Sequence, residues 1–227
     1  MWVCPETIYR FIYDPANRHY GLAQYLPRGH KRRRKHKGRR VHSSRIANRT
    51  SIRARPQDVN DRSAFGHFEG DSIEGRKSVG DGIHTEVERK TRMVFATKVA
   101  ALTSAEGIAA QMRIFAALPP QARRSTTMDN GTEMHRHYDL VTELGMDTYF
   151  ADPYSAYQRG TNKHHNGRIR RYLPKNTDLA GVNEEELQDI VDEINNQPRK
   201  CLRWATAHEA FHTELALLTT DQCCTSN

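Results

Sequence analysis

From Asp61 onward the apolar positions switch between a period of two and a period of 3.6. Segments 65–75 and 83–88 read as strands. Segment 93–99 reads as a third strand with one buried face, reached through the tight turn Arg89-Lys90-Thr91-Arg92. Ile108, Met112 and Phe115 then recur at helical spacing over 104–118, a stretch closed by Pro119-Pro120. A short strand over 124–128 ends on Asp129, and a helix over 134–144 ends at Gly145, which suits a left-handed C-cap. A strand over 147–151 follows, then helices near 160–173, 183–196 and 206–218.

Three antiparallel strands followed by helix–strand–helix–strand–helix is the order of a ribonuclease-H-like α/β fold, a mixed five-stranded sheet flanked by helices. Upstream the pattern differs. Residues 5–13 predict a short helix, with Pro5 suited to the first turn, Glu6 complementing the N-terminal dipole, and Ile8, Phe11 and Ile12 on one face. Residues 27–55 are rich in Pro, Gly, Ser and Arg with few large apolar side chains, too little to offset ordering entropy. The expected organisation is a short helical module over 1–26, a basic linker over 27–60, an α/β core over 61–215 and a tail over 216–227.

Charge sharpens this division. The chain carries a formal +8, yet residues 28–40 hold nine Lys or Arg and no acid; taking nine from +8 leaves the remainder at −1. A block of like charge that dense is an interaction arm for a polyanion. Arg32, Arg33, Arg34, Lys35, Lys37, Arg39 and Arg40 are expected to neutralise DNA phosphates with little base preference. Cys4, Cys201, Cys223 and Cys224 form neither a disulfide framework nor paired C-x-x-C spacing, which fits a reducing cytosol and argues against zinc. No apolar run approaches the roughly 18 residues of a membrane helix, and no signal pattern opens the chain. A cytoplasmic protein is expected.

Two aspartates carry candidate chemistry. Asp71 lies within the first core strand and Asp129 ends the fourth, with Asn130-Gly131 providing a sharp exit that leaves the carboxylate at the strand end. If those strands are neighbours, the pair could ligate divalent ions of the kind that stabilise charge on the attacking and leaving oxygens of a phosphodiester. Magnesium takes oxygen ligands, so two or three carboxylates suffice. Taken singly, each aspartate is an ordinary turn former.

A resemblance adds to this reading. Glu6-Thr7-Ile8-Tyr9-Arg10, Asp61-Arg62-Ser63, Phe68-Glu69-Gly70-Asp71, Val87-Glu88-Arg89-Lys90-Thr91-Arg92, Asp129-Asn130-Gly131-Thr132-Glu133, Gln158-Arg159-Gly160-Thr161-Asn162 and Asn195-Asn196-Gln197-Pro198-Arg199-Lys200 resemble strings of the bacterial insertion-sequence-thirty family of transposases. That family lies within the superfamily of DDE transposases and retroviral integrases. The resemblance runs from Pro5 to about Phe211. It implies an integrase-type catalytic core that cuts double-stranded DNA at mobile-element ends and joins it to target DNA, working as a homo-oligomer on DNA near the bacterial nucleoid. It also implies Mg2+, with Mn2+ as a substitute, held by Asp, Asp and Glu. Asp71 and Asp129 match the first two ligands; the Glu position is Lys163. Arg168 and Arg171 are expected along the DNA path. His164 and His165 stand where small polar residues are usual, Ala207 stands where a helix tends to start with Pro, and the helix-turn-helix is expected to be truncated to its last helix.

Exchanging a carboxylate for an ammonium reverses charge beside the metal. At about 5 Å and an effective dielectric near 20 a unit pair is worth roughly 3 kcal/mol, so metal affinity is expected to fall by several kcal/mol. Three substitutes are conceivable: Lys163 as a surrogate cation, His164 or His165 ligating a softer metal, or Glu133 or Asp152 swinging in. For the two histidines an exposed helix face is the expected setting. The expectation is a DDE transposase whose strand cleavage and transfer are impaired at Lys163; the alternative is a non-catalytic DNA-binding remnant that competes with an intact enzyme.

Overall fold

The computed structural model describes residues 3–26, 32, 46–76, 80–153 and 155–224, in two compact units spanning 1–42 and 43–227. In the first unit, α1 (Pro5–Tyr13) has Pro5 in its opening turn and Glu6 beside the helix N-terminus. Two short 3-10 turns follow, Pro15–Tyr20 and Leu22–Tyr25, the former capped by Asp14 accepting from the Ala16 amide. None of these residues is buried, and Ile8 and Phe11 remain about half exposed.

The second unit is built on five strands: β1 (His67–Glu74), β2 (Gly82–Glu88), β3 (Val94–Val99), β4 (Ser125–Met128) and β5 (Asp147–Phe150). Their order in the sheet is β3-β2-β1-β4-β5. β1–β2 and β2–β3 pair antiparallel, while β1–β4 and β4–β5 pair parallel, the mixed sheet expected from the sequence. Helices cover both faces, so every residue of β2 is buried, as a doubly covered strand requires. On one face, α5 (Gly160–Tyr172) and α6 (Glu184–Asn195) pack Ile169, Leu173, Leu187 and Ile194 against Ile73, Ile83 and Val87. On the other, α3 (Ser104–Ala116) and α4 (Tyr138–Leu144) bring Ile108, Phe115 and Leu140 onto Phe68. Gly145 caps α4 with φ 65°, where only a residue without Cβ avoids strain.

Residues 46–60, assigned to the linker from composition, belong to this second unit. Ile46 packs with Met128, Met134 and Phe150, and the Thr50 carbonyl accepts from the Phe150 amide at 2.9 Å. β5 is an edge strand with free backbone groups, and this segment covers them. Ile52 and Val59 are buried as well, the latter in the short helix α2 (Gln57–Asp61). Three well-spaced apolar side chains therefore anchor a stretch whose overall composition is that of a loop. At the other end α7 (Ala207–Cys224) continues through the start of the expected tail. It begins with a reciprocal cap: Glu209 N donates to Thr206 Oγ1 (3.0 Å) and Thr206 N donates to Glu209 Oε2 (2.8 Å). That box pairs two of the amides at the helix start, so the helix is capped without the proline that Ala207 replaces.

His67 opens β1 and is buried, its Nδ1 2.7 Å from Ser125 Oγ across the β1–β4 pair. Burial first, then the charge of Arg124, holds its pKa down to about 4. The folded chain keeps this imidazole neutral, whereas the unfolded chain protonates it near 6.5. Its contribution is therefore complete above pH 6.5 and lost as pH falls toward 4. We expect stability to drop by on the order of 2 kcal/mol from this group between pH 6.5 and 5. Urea titrations at both pH values should show the drop in the parent and a smaller one in His67→Gln; equal drops would refute the assignment.

Candidate active site

Strand register brings the two aspartates together. His67 pairs with Ser125, Phe68 with Thr126 and Glu69 with Thr127; the same offset carried two residues further sets Asp71 opposite Asp129. In a parallel pair, opposite residues point to the same face, here the one covered by α5. Gly70, just before Asp71, faces the other way, where Glu86 lies over it: a Cβ at position 70 would come within 2.5 Å of Glu86 Oε1. Glu86 cannot move aside cheaply. It is fully buried and accepts from Thr126 Oγ1 (2.8 Å) and Gln111 Nε2 (2.8 Å), with His84 Nε2 at 3.0 Å.

Both carboxylates converge on one cation. Arg159 Nη1 lies 3.2 Å from Asp71 Oδ1 and Nη2 lies 3.2 Å from Asp129 Oδ2. Nη1 also donates to the Gly70 carbonyl at 3.0 Å, and the guanidinium side chain is only 11% exposed. The remaining oxygens are held too: Asp71 Oδ2 accepts from Asn166 Nδ2 (3.2 Å) and Asp129 Oδ1 from the Gly131 amide (2.8 Å).

The segment that delivers Arg159 and Asn166 is anchored by Glu69, which is fully buried on β1. One of its oxygens pairs with Arg89, and the other accepts from the Asn162 amide at 2.9 Å. Asn162 is the third residue of α5, where an amide has no partner inside the helix, and no side chain caps this helix locally. Glu69 supplies that cap from a distant strand, with a negative charge at the positive end of the helix dipole. Asn162 Nδ2 returns a bond to the Glu69 carbonyl at 2.6 Å.

Of the predicted trio, the fold unites Asp71 and Asp129 but leaves Lys163 outside. Lys163 is exposed, with no ion pair or hydrogen bond among the described residues. The cation between the carboxylates is Arg159. His164 is exposed as expected, but His165 is buried, correcting the exposed-face expectation for it: its Nδ1 lies 2.7 Å from the Thr161 carbonyl, its Nε2 contacts Arg199, and burial pushes its pKa down to about 3. At 100° per residue, both histidines sit away from the flank of α5 that holds Asn166. Asp152 is engaged by Arg53 and Gln158. Glu133 curls back over Gly131, and its carboxyl is pushed above the usual range by burial, then by Asp129 and Asp71. Arg168 contacts Gln197 and Arg171 is exposed. Arg32 is exposed; Arg33, Arg34, Lys35, Lys37, Arg39 and Arg40 lie outside the described residues. Sequence reasoning missed Arg159, Asn166 and Glu69. The available signal was the need of half-buried acids for a partner, with Arg159 one helical turn before Lys163.

No family model matches the chain. It is 37% identical over 220 residues to the transposase InsI of insertion element IS30A from Escherichia coli K12, covering 95% of this chain and 57% of that protein. It is 38% identical over 216 residues to the IS1086 transposase of Cupriavidus metallidurans, covering 94% and 63%. It is 34% identical over 211 residues to the IS4351 transposase of Bacteroides fragilis, covering 92% and 64%. The chain thus spans somewhat over half the length of these curated relatives. Among solved structures, the catalytic core domain of BIV integrase superposes with a TM-score of 0.54 at 17% identity, covering 68% of this chain and 98% of that one. A chain of the simian T-cell lymphotropic virus intasome in complex with PP2A regulatory subunit B56 gamma gives 0.54 at 21%, covering 66% and 55%. The fold is that of a ribonuclease-H-like integrase core.

Removing the Glu69 carboxylate leaves Arg89 buried without its anion and α5 uncapped. Breaking a buried pair in this way costs about 3–5 kcal/mol. Glu69→Ala should lower the urea midpoint accordingly, with Glu69→Gln intermediate; a loss below about 1 kcal/mol in Glu69→Ala would show that the anchor does not hold the site.

Proposed function

This chain is a homologue of IS30-type transposases along nearly its whole length, and from that premise we propose that its core acts on phosphodiesters of double-stranded DNA, cleaving and transferring strands at mobile-element ends. The observation that carries the reading is the convergence of Asp71 and Asp129 on a single cation. Two carboxylates that hold a guanidinium between them are a donor set that fits one divalent ion. Asp71 and Asp129 would hold Mg2+ or Mn2+ there; when bound, the ion would supply Lewis-acid stabilisation of charge on the phosphoryl oxygens. Asn166 keeps the Asp71 carboxylate oriented, and Arg159 offsets one of the two negative charges before an ion arrives. Glu133 is the acid whose charge couples to both.

In this copy the reaction is impaired. Lys163 occupies the family's carboxylate position on the flank of α5 that carries Asn166, and a divalent ion would compete with Arg159 as well. Moving from Glu to Lys turns attraction into repulsion; each would be worth roughly 3 kcal/mol if the side chain reached within about 5 Å of the ion, and less while Lys163 stays exposed to screening solvent. The basic arm, with Arg168 and Arg171, would bind phosphates of element ends and target, and copies would assemble on DNA. A second reading, a DNA-holding protein without catalysis, is favoured by one feature: Arg159 already bridges the two carboxylates, in the place a metal ion would take. No helix among the described residues is long and apolar enough to cross a membrane.

Calorimetric titration of the full chain with Mg2+ and Mn2+ tests this. Lys163→Glu should bind at least about a hundredfold more tightly than the parent and should nick supercoiled plasmid in Mg2+, and Asp129→Ala should abolish both. Equal binding by parent and Lys163→Glu would refute the impairment. Restored binding without nicking would leave the DNA-holding reading.

A further inference from the structure

On the flank of α5 away from Asn166 lies a cavity of about 340 Å³ whose lining includes Arg62, Arg92, Arg168, Arg199, Thr161 and Cys201. Its four arginines come from four places: the end of α2, the β2–β3 turn, α5, and the loop after α6. No carboxylate lines it, and among the described residues none of the four pairs with an acid. Glu69, the nearby acid that Arg92 senses, is already committed to Arg89 and Asn162.

Concentrating like charge without a counter-ion is costly, and the fold accepts further costs to do so. Arg62 and Arg92 both donate to the same Thr161 hydroxyl, each at 3.2 Å. Both also sit in left-handed backbone, φ 60° and 66°, where a side chain is strained and glycine would not be. Arg199 spends its Nη groups on the Ile194 and Arg92 carbonyls, and its Nε is buried without a partner. Burial lowers the pKa values of Arg92, Arg168 and Arg199, and repulsion within the cluster adds to it for two of them, from Arg62 on Arg92 and from Arg168 and Arg92 on Arg199. Gly160, in the first turn of α5, lines the same cavity and leaves open space where a Cβ would sit, while the dipole of that turn is already met by Glu69. Forked guanidiniums with free donors, around a space roomy enough for a small anion, match the bidentate geometry of phosphate oxygens.

We propose that this cavity is a phosphate-binding site, taking either a backbone phosphate of bound DNA or a free phosphoric anhydride such as pyrophosphate. Its backbone-phosphate arm rests on the DNA-binding reading that already includes Arg168, but the site does not rest on the two carboxylates, which lie on the other flank of α5, and Asp129→Ala should leave it intact.

The test uses the full chain, inorganic pyrophosphate and a duplex oligonucleotide. Pyrophosphate should bind saturably and shield Cys201 from iodoacetamide, read by mass spectrometry, while Cys4 stays reactive. Arg62→Gln and Arg168→Gln together should weaken pyrophosphate binding by about tenfold for each guanidinium removed. Arg113→Gln on α3, across the sheet, should not. If backbone phosphate is the natural ligand, the double variant also lowers the salt slope of duplex binding by about 2, and pyrophosphate competes with duplex. An unchanged slope with lost pyrophosphate binding assigns the site to the free anion. Unshielded Cys201, or a double variant that melts cooperatively yet binds pyrophosphate and duplex like the parent, overturns the proposal, as does an equal loss in Arg113→Gln.

Discussion

The core hangs on the Glu69 carboxylate. It lies on the central strand, is shut off from water, and serves two clients in different parts of the chain, the Arg89 guanidinium and the first turn of α5. Strand periodicity then extends that single anchor into a row. Glu69, Asp71 and Ile73 alternate onto the same face, meeting Asn162, then Asn166, then the apolar cluster that holds Ile169 and Leu173. Two residues of strand advance about as far as one turn of helix, so fixing the first contact sets the register of the rest. The placement of Asn166 beside Asp71 follows from an acid that anchors the helix four residues earlier.

A second principle is visible in how the molecule spends its arginines. Arg159 and Arg89 each face carboxylates and settle them; the four around the cavity beyond α5 face none. The same helix therefore separates a region where negative charge is bridged by an arginine of the protein from one where positive charge faces no acid. Such a division favours a polyanion approaching from the open side, while the carboxylate side stays closed to stray cations until something competes with a guanidinium.

The sheet and its helices were legible because their apolar spacing is regular: the strands around Asp71 and Asp129 and the caps at Gly145 and Pro119 all follow local rules. What the sequence concealed was long-range. Ile46 and Ile52 look isolated in a basic stretch, and only the uncovered edge of β5 gives them a purpose. His165 sits in a polar run with no apolar periodicity to mark it as buried, since its partners, the Thr161 carbonyl and Arg199, come from the backbone and from a distant loop. The pair Asp71 and Asp129 was readable as a pair, but its counter-ion was not. Lys163 drew notice as the altered position, whereas the cation between the acids is the unaltered Arg159, which enters by the geometry of the helix start.

The β1–β4 ladder stops at Glu69 and Thr127, two residues short of the aspartates it aligns. Beyond that point each strand stays fastened on its outer side, β1 to β2 through Glu74 and β4 to β5 through Met128, but not to the other. The two carboxylates thus lie just past the last hydrogen bonds that join β1 to β4, and the group that spans the gap between them is the Arg159 guanidinium, so at this point a side chain from outside the sheet takes over the bridging that the ladder performs below it.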